Sequence, residues 1–139
     1  MKSSVYLGFA DGASHHTKNL ASIAWVVYSP EGLLVSSGGV CLGPSMNNVA
    51  KYNVIIELLR NSISHGILSL EVRLDSQLVV CHLNKNYHVP DPTLLLRFLR
   101  VCLLERRFDF ITYHHIPRSS NYVFDPYANF ILDWHLSHN

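Results

Sequence analysis

The segment ILSLEVRLDSQLVV, residues 67–80, contains the change of pattern on which the fold prediction depends. Its first part alternates apolar and polar residues as far as Asp75, which is typical of a β-strand with one buried face. Its second part, from Ser76, opens a short helical segment that continues to Lys85. We therefore expect a strand that passes directly into a helix, with Asp75 at the junction.

The segments on either side supply the remaining elements. Three strand patterns with short connections precede the central segment and predict an antiparallel meander. A helical pattern follows them at 49–64, with Gly66 as its stop signal. After the central segment come a helix with Pro92 in its first turn, a strand and a closing helix. The predicted bounds are 4–11, 22–29 and 33–43 for the early strands, 89–107 and 123–136 for the late helices, and 108–118 for the last strand.

This order of elements predicts an α/β fold. We expect a five-stranded mixed sheet, with its first three strands antiparallel and with helices on both faces, in a single domain that spans residues 1–139. Within the third strand, Gly38 and Gly39 indicate a kink or bulge.

Composition favours a folded intracellular protein. Hydrophobic residues make up 48% of the 139 residues and charged residues 15%, which is enough apolar material for a core. The net charge is +1, so attraction to nucleic acid would have to come from local patches. The three cysteines are widely spaced and indicate neither a disulfide framework nor a zinc site. No stretch is apolar enough for a membrane span or a signal peptide, so we expect a cytoplasmic or nuclear protein without a membrane partner.

Three aspartates are placed where a site could form. Asp11 and Asp75 end predicted strands, and Asp125 opens the last predicted helix. If the first and fourth strands are neighbours, Asp11 and Asp75 lie side by side, and such a cluster commonly holds Mg²⁺ or Mn²⁺. Each aspartate also has a local explanation: a turn residue before Gly12, a helix N-cap, and an acidic residue in a first helical turn.

The motifs FADGAS, NNVAKY, LDSQLVV and HHIPRSSNYVFDPYAN, in this order, resemble the ribonuclease H family. The resemblance is strongest to its branch associated with reverse transcriptases, plants and retroelements, and it extends from Val5 to about Leu132. It implies the ribonuclease H fold and hydrolysis of the RNA strand in RNA–DNA hybrids by two Mg²⁺ ions bound to an Asp-Glu-Asp-Asp set. Carried over by position, Asp11, Asp75 and Asp125 are the three aspartates.

The glutamate of that set corresponds to Lys51. An ammonium group at this position could occupy the space of one metal ion and pair with Asp11 or Asp75, and it would weaken divalent-cation binding. Glu57 lies about 600° further around the helix, so it would not replace the missing ligand. We therefore predict a ribonuclease H domain with weakened or lost cleavage, holding one ion or binding metal weakly. The alternative is a non-catalytic nucleic-acid-binding or scaffold module. For both functions we expect no membrane partner, and the domain could be part of a reverse-transcriptase polyprotein.

Further residues match the family's substrate-contacting positions. Asn47 and Asn48 would contact the hybrid's backbone and 2′-hydroxyl groups, or would cap the 49–64 helix. Gly12 and Ser14 would let a phosphate approach, or would form a plain hairpin turn. His115 matches the family's loop histidine, which would help product leave or relay a proton, or it is an exposed residue at the strand end. Arg118 is an alternative for this role and would contact a phosphate.

The predicted 89–107 helix carries two unusual sets of residues. Its arginines could contact phosphates, or could be a solvated face with their stems over apolar surface. Exposed leucines of TLLLRFL could form a partner surface. The arginines are Arg97, Arg100, Arg106 and Arg107.

Overall fold

The computed structural model describes residues 4–15, 20–42, 48–85 and 88–116. Within these ranges the chain forms strands and helices in the predicted order. The strands are β1 (Tyr6–His15), β2 (Leu20–Tyr28), β3 (Leu34–Leu42), β4 (Ser69–Leu74) and β5 (Phe110–His115), and the helices are α1 (Asn48–Ser64), α2 (Gln77–Leu83) and α3 (Pro92–Glu105).

The five strands form one sheet in the order β3-β2-β1-β4-β5. Strands β1, β2 and β3 pair antiparallel, which confirms the predicted meander. Strand β4 pairs parallel to β1 on one side and to β5 on the other. The mixed sheet is therefore confirmed, and the first and fourth strands are neighbours, as a site at their shared end requires.

Two details of the predicted strands are wrong. Strand β1 does not end at Asp11, because its ladder with β2 continues to His15 opposite Leu20. The irregularity in β3 is not at Gly38 and Gly39, which pair regularly with Trp25 and Ala24; the register shifts instead beside Tyr28. Gly38 has a packing role, since a Cβ there would lie 2.7 Å from Cζ2 of Trp25.

Helix α1 ends where the sequence predicts, at a glycine in the left-handed region. Gly66 has φ +74°, a conformation in which a side chain is strained. Its N–H donates to the carbonyl of Ile63 at 3.0 Å, and the N–H of Ile67 donates to the carbonyl of Ser62 at 3.0 Å. This pair of bonds is the Schellman arrangement, and it directs the chain back toward β4.

The main core lies between the sheet and the three described helices. Its fully buried side chains include Leu58 and Leu59 of α1 and Val101 of α3. On the other face of the sheet, Phe9, Ala24 and Val26 form a smaller cluster. The closing helix predicted at 123–136 lies outside the described residues. Among the helices that are described, none is long and apolar enough to cross a membrane.

Candidate metal and nucleic-acid site

Asp75 stands at the point where β4 passes into α2. Strand β4 ends at Leu74, and Asp75 itself is half-buried. The helix is capped by the next residue, because the hydroxyl of Ser76 accepts a hydrogen bond from the N–H of Val79 at 3.4 Å. The interpretation of Asp75 as a helix N-cap is therefore wrong.

The backbone of Asp11 lies beside that of Asp75. The parallel ladder between β1 and β4 has Ala10 opposite Leu74 as its last pair, and each aspartate is the residue that follows. Neighbouring strands are about 4.8 Å apart, so the two aspartates occupy adjacent positions at one end of the sheet. The structure thus brings together the first two of the three predicted carboxylate positions.

His115 lies at the same end of the sheet. It is exposed and pairs with Leu74, the residue before Asp75, in the ladder between β4 and β5. The N–H of Ile116 then donates to the carbonyl of Leu74 at 2.9 Å. Three adjacent strands therefore deliver an aspartate, an aspartate and a histidine to one edge.

Lys51 lies in the first turns of α1 and is half-buried. It shares a helix face with Ile55 and Leu58, which follow at spacings of four and seven residues and are buried. Leu58 packs over Gly8 of β1, where an added Cβ would be 3.3 Å from Cδ2 of Leu58.

The height of Lys51 above the sheet follows from this contact. Ala50 and Val54 line a cavity with Trp25, whose strand partner is Ala10, so α1 runs antiparallel to β1. Seven helical residues rise about 10 Å. Three strand residues also rise about 10 Å, so a helix running along the strand axis would put the backbone of Lys51 at about the height of Asp11.

The other predicted positions divide into described and undescribed ones. Asn48 is the first residue of α1 and is half-buried. Gly12 and Ser14 are paired strand residues opposite Ile23 and Ala21, so the interpretation of this segment as a plain turn is wrong. Three predicted residues lie outside the described part of the chain: Asn47, Arg118 and Asp125.

The residue types at this edge fit a hard cation in part. Carboxylates are the ligands that Mg²⁺ and Mn²⁺ prefer, and two aspartates occupy adjacent backbone positions here. Over the residues that the structure describes, no group of three or more histidine, cysteine, aspartate or glutamate side chains is close enough to hold a metal ion. The third aspartate position, residue 125, falls outside those residues.

A buried pair that the sequence analysis missed connects α1 to α2. The hydroxyl of Tyr52 and Nδ1 of His82 are 2.9 Å apart, and both side chains are buried. Burial, with a smaller contribution from Cys102, raises the pKa of Tyr52 to about 12, so the phenol stays protonated. Burial lowers the pKa of His82.

The position of this pair relates it to the site. Tyr52 is the residue after Lys51, and His82 lies on the helix that follows Asp75. The bond thus connects the two helices whose N-terminal turns border the site. The only signal in the sequence was a histidine within the apolar segment VVCHL.

Comparison with known proteins agrees with this geometry. A family model described as reverse transcriptase-like matches residues 9–131. The chain belongs to this family of ribonuclease H domains. The ribonuclease HI of Halobacterium salinarum is 35% identical over 125 residues, which are 90% of this chain and 63% of that protein. The bifunctional protein Rv2228c of Mycobacterium tuberculosis is 30% identical over 125 residues, 89% of this chain and 34% of that protein.

Solved structures of ribonuclease H proteins share the fold. The RNase H1 of Halobacterium salinarum superposes with a TM-score of 0.78 at 34% identity, covering 93% of this chain and 98% of that one. The N-terminal RNase H domain of the Mycobacterium tuberculosis protein gives 0.81 at 28% identity, with 98% and 99% coverage. LC11-RNase H1, in complex with an RNA/DNA hybrid, gives 0.71 at 27% identity, with 84% and 88% coverage. The ribonuclease H fold predicted from the sequence is confirmed.

Proposed function

We propose that this ribonuclease H domain binds RNA–DNA hybrids at the edge formed by β1, β4 and β5, and that its cleavage activity is weakened or lost because residue 51 is a lysine. The observation that carries the proposal is the register that puts Asp11 beside Asp75, with the backbone of Lys51 on α1 at about their height. Binding of a hybrid is supported by the LC11-RNase H1 complex, whose protein shares this fold.

The residues that would hold Mg²⁺ or Mn²⁺ are Asp11, Asp75 and Asp125. A metal ion bound there supplies an activated water and stabilises the leaving oxygen of a phosphodiester. Lys51 opposes this, because exchanging a carboxylate for an ammonium group changes the local charge by two units. Two unit charges about 4 Å apart interact by about 4 kcal/mol near a protein surface, so metal affinity falls by several powers of ten.

The remaining residues would act on the nucleic acid. Asn47 and Asn48 would bind the hybrid's backbone and 2′-hydroxyl groups, while Gly12 and Ser14 would lie along a phosphate. The exposed His115, at the same edge, has a residue type suited to proton relay or product release. Arg118 would contact a phosphate.

The second candidate function is a non-catalytic nucleic-acid-binding module. It is favoured by the half-buried position of Lys51, where an ammonium group can itself neutralise the neighbouring carboxylates. A single domain over residues 1–139, an intracellular location and association with a reverse transcriptase in a longer polypeptide belong to the same proposal.

The deciding experiment measures cleavage of a labelled RNA–DNA hybrid with Mg²⁺ and with Mn²⁺. The chain as given is compared with Lys51→Glu, which restores the carboxylate, and with Lys51→Gln, which only removes the charge. We expect an inert or slow chain, a fast Lys51→Glu variant and a slow Lys51→Gln variant.

Other results would redirect the proposal. Fast cleavage by the unmodified chain, abolished by Asp75→Asn, would show that Lys51 is compatible with catalysis. If no variant cuts but all bind the hybrid, the second candidate function is correct. If none binds the hybrid, both candidate functions are wrong.

A further inference from the structure

Helix α3 exposes a row of leucines on the side away from the core. Leu96 is 70% exposed, Leu99 48% and Leu103 59%. At about 100° per residue these three side chains fall within about 60° of one another, and Val101, which is fully buried, is nearly opposite. We call Leu96, Leu99 and Leu103 the leucine seam.

The exposure of the leucine seam is not explained by the stability of this chain. Leucines at spacings of three and four residues on one helix face are what a second helix packs against. Folded domains normally cover such a row, because burying apolar side chains stabilises the fold and exposed leucines forfeit that contribution. Helix α1 already holds α3 through its other face, where Val101 is buried and the side chain of Arg97 donates to that of Asn53 at 3.2 Å.

The charges beside the seam are all positive. Arg100 lies about 40° from Leu96 on one side, and Arg106, the C-cap, lies about 20° beyond Leu99 on the other. Both arginines are exposed. The acidic residue of the helix, Glu105, turns the other way: it is 3.8 Å from Lys85, and its side chain is 17% exposed.

These charges decide which kind of occupant fits. A second copy of α3 would bring arginines against arginines, and such like-charge pairs are destabilising. A nucleic acid would suit the arginines, but it would leave three leucines against phosphates, where they gain nothing. An amphipathic helix with its own leucine-type row and with glutamate or aspartate on both flanks satisfies the leucines and the arginines together.

We propose that the leucine seam of α3, with Arg100 and Arg106, is a docking surface for an acidic amphipathic helix of a partner polypeptide. The surface belongs to α3, where Leu96 and Arg100 line a pocket with Asn53 of α1. Asp11 and Asp75 instead follow the last residue pair of β1 and β4. A partner docked on the seam would recruit or tether this domain.

The test uses two labelled helical peptides of about 20 residues with leucine at their a and d positions. One carries glutamate at the flanking e and g positions, and the other carries lysine. Binding to the full chain is followed by fluorescence anisotropy. We expect saturable binding of the glutamate peptide, at least about tenfold tighter than that of the lysine peptide and weakened by salt.

Variants of the chain locate the site. The double variant Leu96→Gln/Leu103→Gln should lose binding at least about tenfold. The matched control is Leu33→Gln/Leu34→Gln, which removes two equally exposed leucines at the β2–β3 turn and should bind normally. The charge-reversed variant Arg100→Glu/Arg106→Glu should prefer the lysine peptide, which no loss of folding could produce.

The contrary results are equally specific. Equal binding of both peptides, or equal loss in the control variant, would mean nonspecific apolar adhesion and overturn the proposal. Dimerisation of the unmodified chain that Leu96→Gln/Leu103→Gln abolishes would assign the seam to a second copy. Loss of hybrid binding on charge reversal, with no peptide binding by the unmodified chain, would assign the arginines to nucleic acid.

Discussion

At the scale of single residues, the hydrogen bond between Tyr52 and His82 sets a requirement on protonation. Both side chains are buried with the two polar atoms 2.9 Å apart, and burial lowers the pKa of His82, which favours the neutral imidazole in the folded chain. Cys102 of α3 is the further titratable group near the phenol. Nothing in the sequence revealed this pair, because Tyr52 and His82 are 30 residues apart and occupy ordinary core positions in their helices.

The lowered pKa of His82 makes stability depend on pH. The unfolded chain takes up a proton below about pH 6.5, whereas the folded chain resists it, so stability is complete above that pH and falls as the pH drops toward the folded pKa. The variant His82→Gln cannot take up this proton in either the folded or the unfolded state. We expect the free energy of unfolding of the unmodified chain to fall more steeply below pH 6.5, by up to about 1.4 kcal/mol per pH unit. Parallel curves in urea unfolding would contradict this.

A second tyrosine gives the opposite case. The hydroxyl of Tyr113 is buried without a hydrogen-bond partner among the residues described, and burial and the nearby charge of Glu105 raise its pKa. The variant Tyr113→Phe removes a desolvated group, so we expect unchanged or higher stability. The matched variant Tyr52→Phe leaves Nδ1 of His82 without its hydrogen-bond partner, and should lower the free energy of unfolding by about 1–3 kcal/mol. Chemical unfolding of both variants checks the contrast, and equal losses would refute it.

At the scale of elements, local sequence signals predicted the ends of helices better than the irregularities within strands. The proline at 92 and the glycine at 66 mark the start of α3 and the end of α1 because each acts through its own backbone conformation. The supposed bulge at Gly38 could not be judged this way, since the reason for a small residue there is an indole ring on another strand. The true length of β1 depended likewise on its pairing with β2.

The crowding at Gly38 predicts unequal costs for two glycine substitutions. A methyl group in Gly38→Ala would meet the rigid ring of Trp25 at 2.7 Å, whereas in Gly8→Ala it would meet the flexible end of Leu58 at 3.3 Å. We expect Gly38→Ala to lower the free energy of unfolding by about 1–3 kcal/mol and Gly8→Ala to lower it less. Urea denaturation gives both values. The reverse order would mean that Trp25 moves aside easily.

At the scale of the whole molecule, the order of the elements predicted the mixed sheet. The adjacency of Asp11 and Asp75 was conditional on the first and fourth strands being neighbours, which the parallel ladder of β1 and β4 supplies. The sequence could not supply the 2.9 Å bond between Tyr52 and His82, or which of the α3 leucines are exposed, since these depend on how the helices pack.

Metal binding at this edge is linked to the stability of the whole domain. An ion that binds only the folded chain stabilises it by about 2.7 kcal/mol at a concentration 100 times its dissociation constant. We therefore expect Mg²⁺ to raise the Tm of the variant Lys51→Glu and to leave the unmodified chain and Lys51→Gln almost unchanged. Thermal unfolding with and without EDTA measures this. A similar rise in all three proteins would mean that the ion binds elsewhere.

The parallel pairing of β1 with β4 also bears on how the protein folds. The β1–β2 hairpin closes across a short connection between His15 and Leu20, whereas Ala10 and Leu74 pair across a long connection that contains β2, β3 and α1. Closing so long a loop costs entropy before any contact compensates it, so this pairing is expected late in folding. The edge with Asp11 and Asp75 is therefore completed only as the last long-range contacts form, and a newly made chain would acquire its ligand-binding capacity at the end of folding rather than gradually.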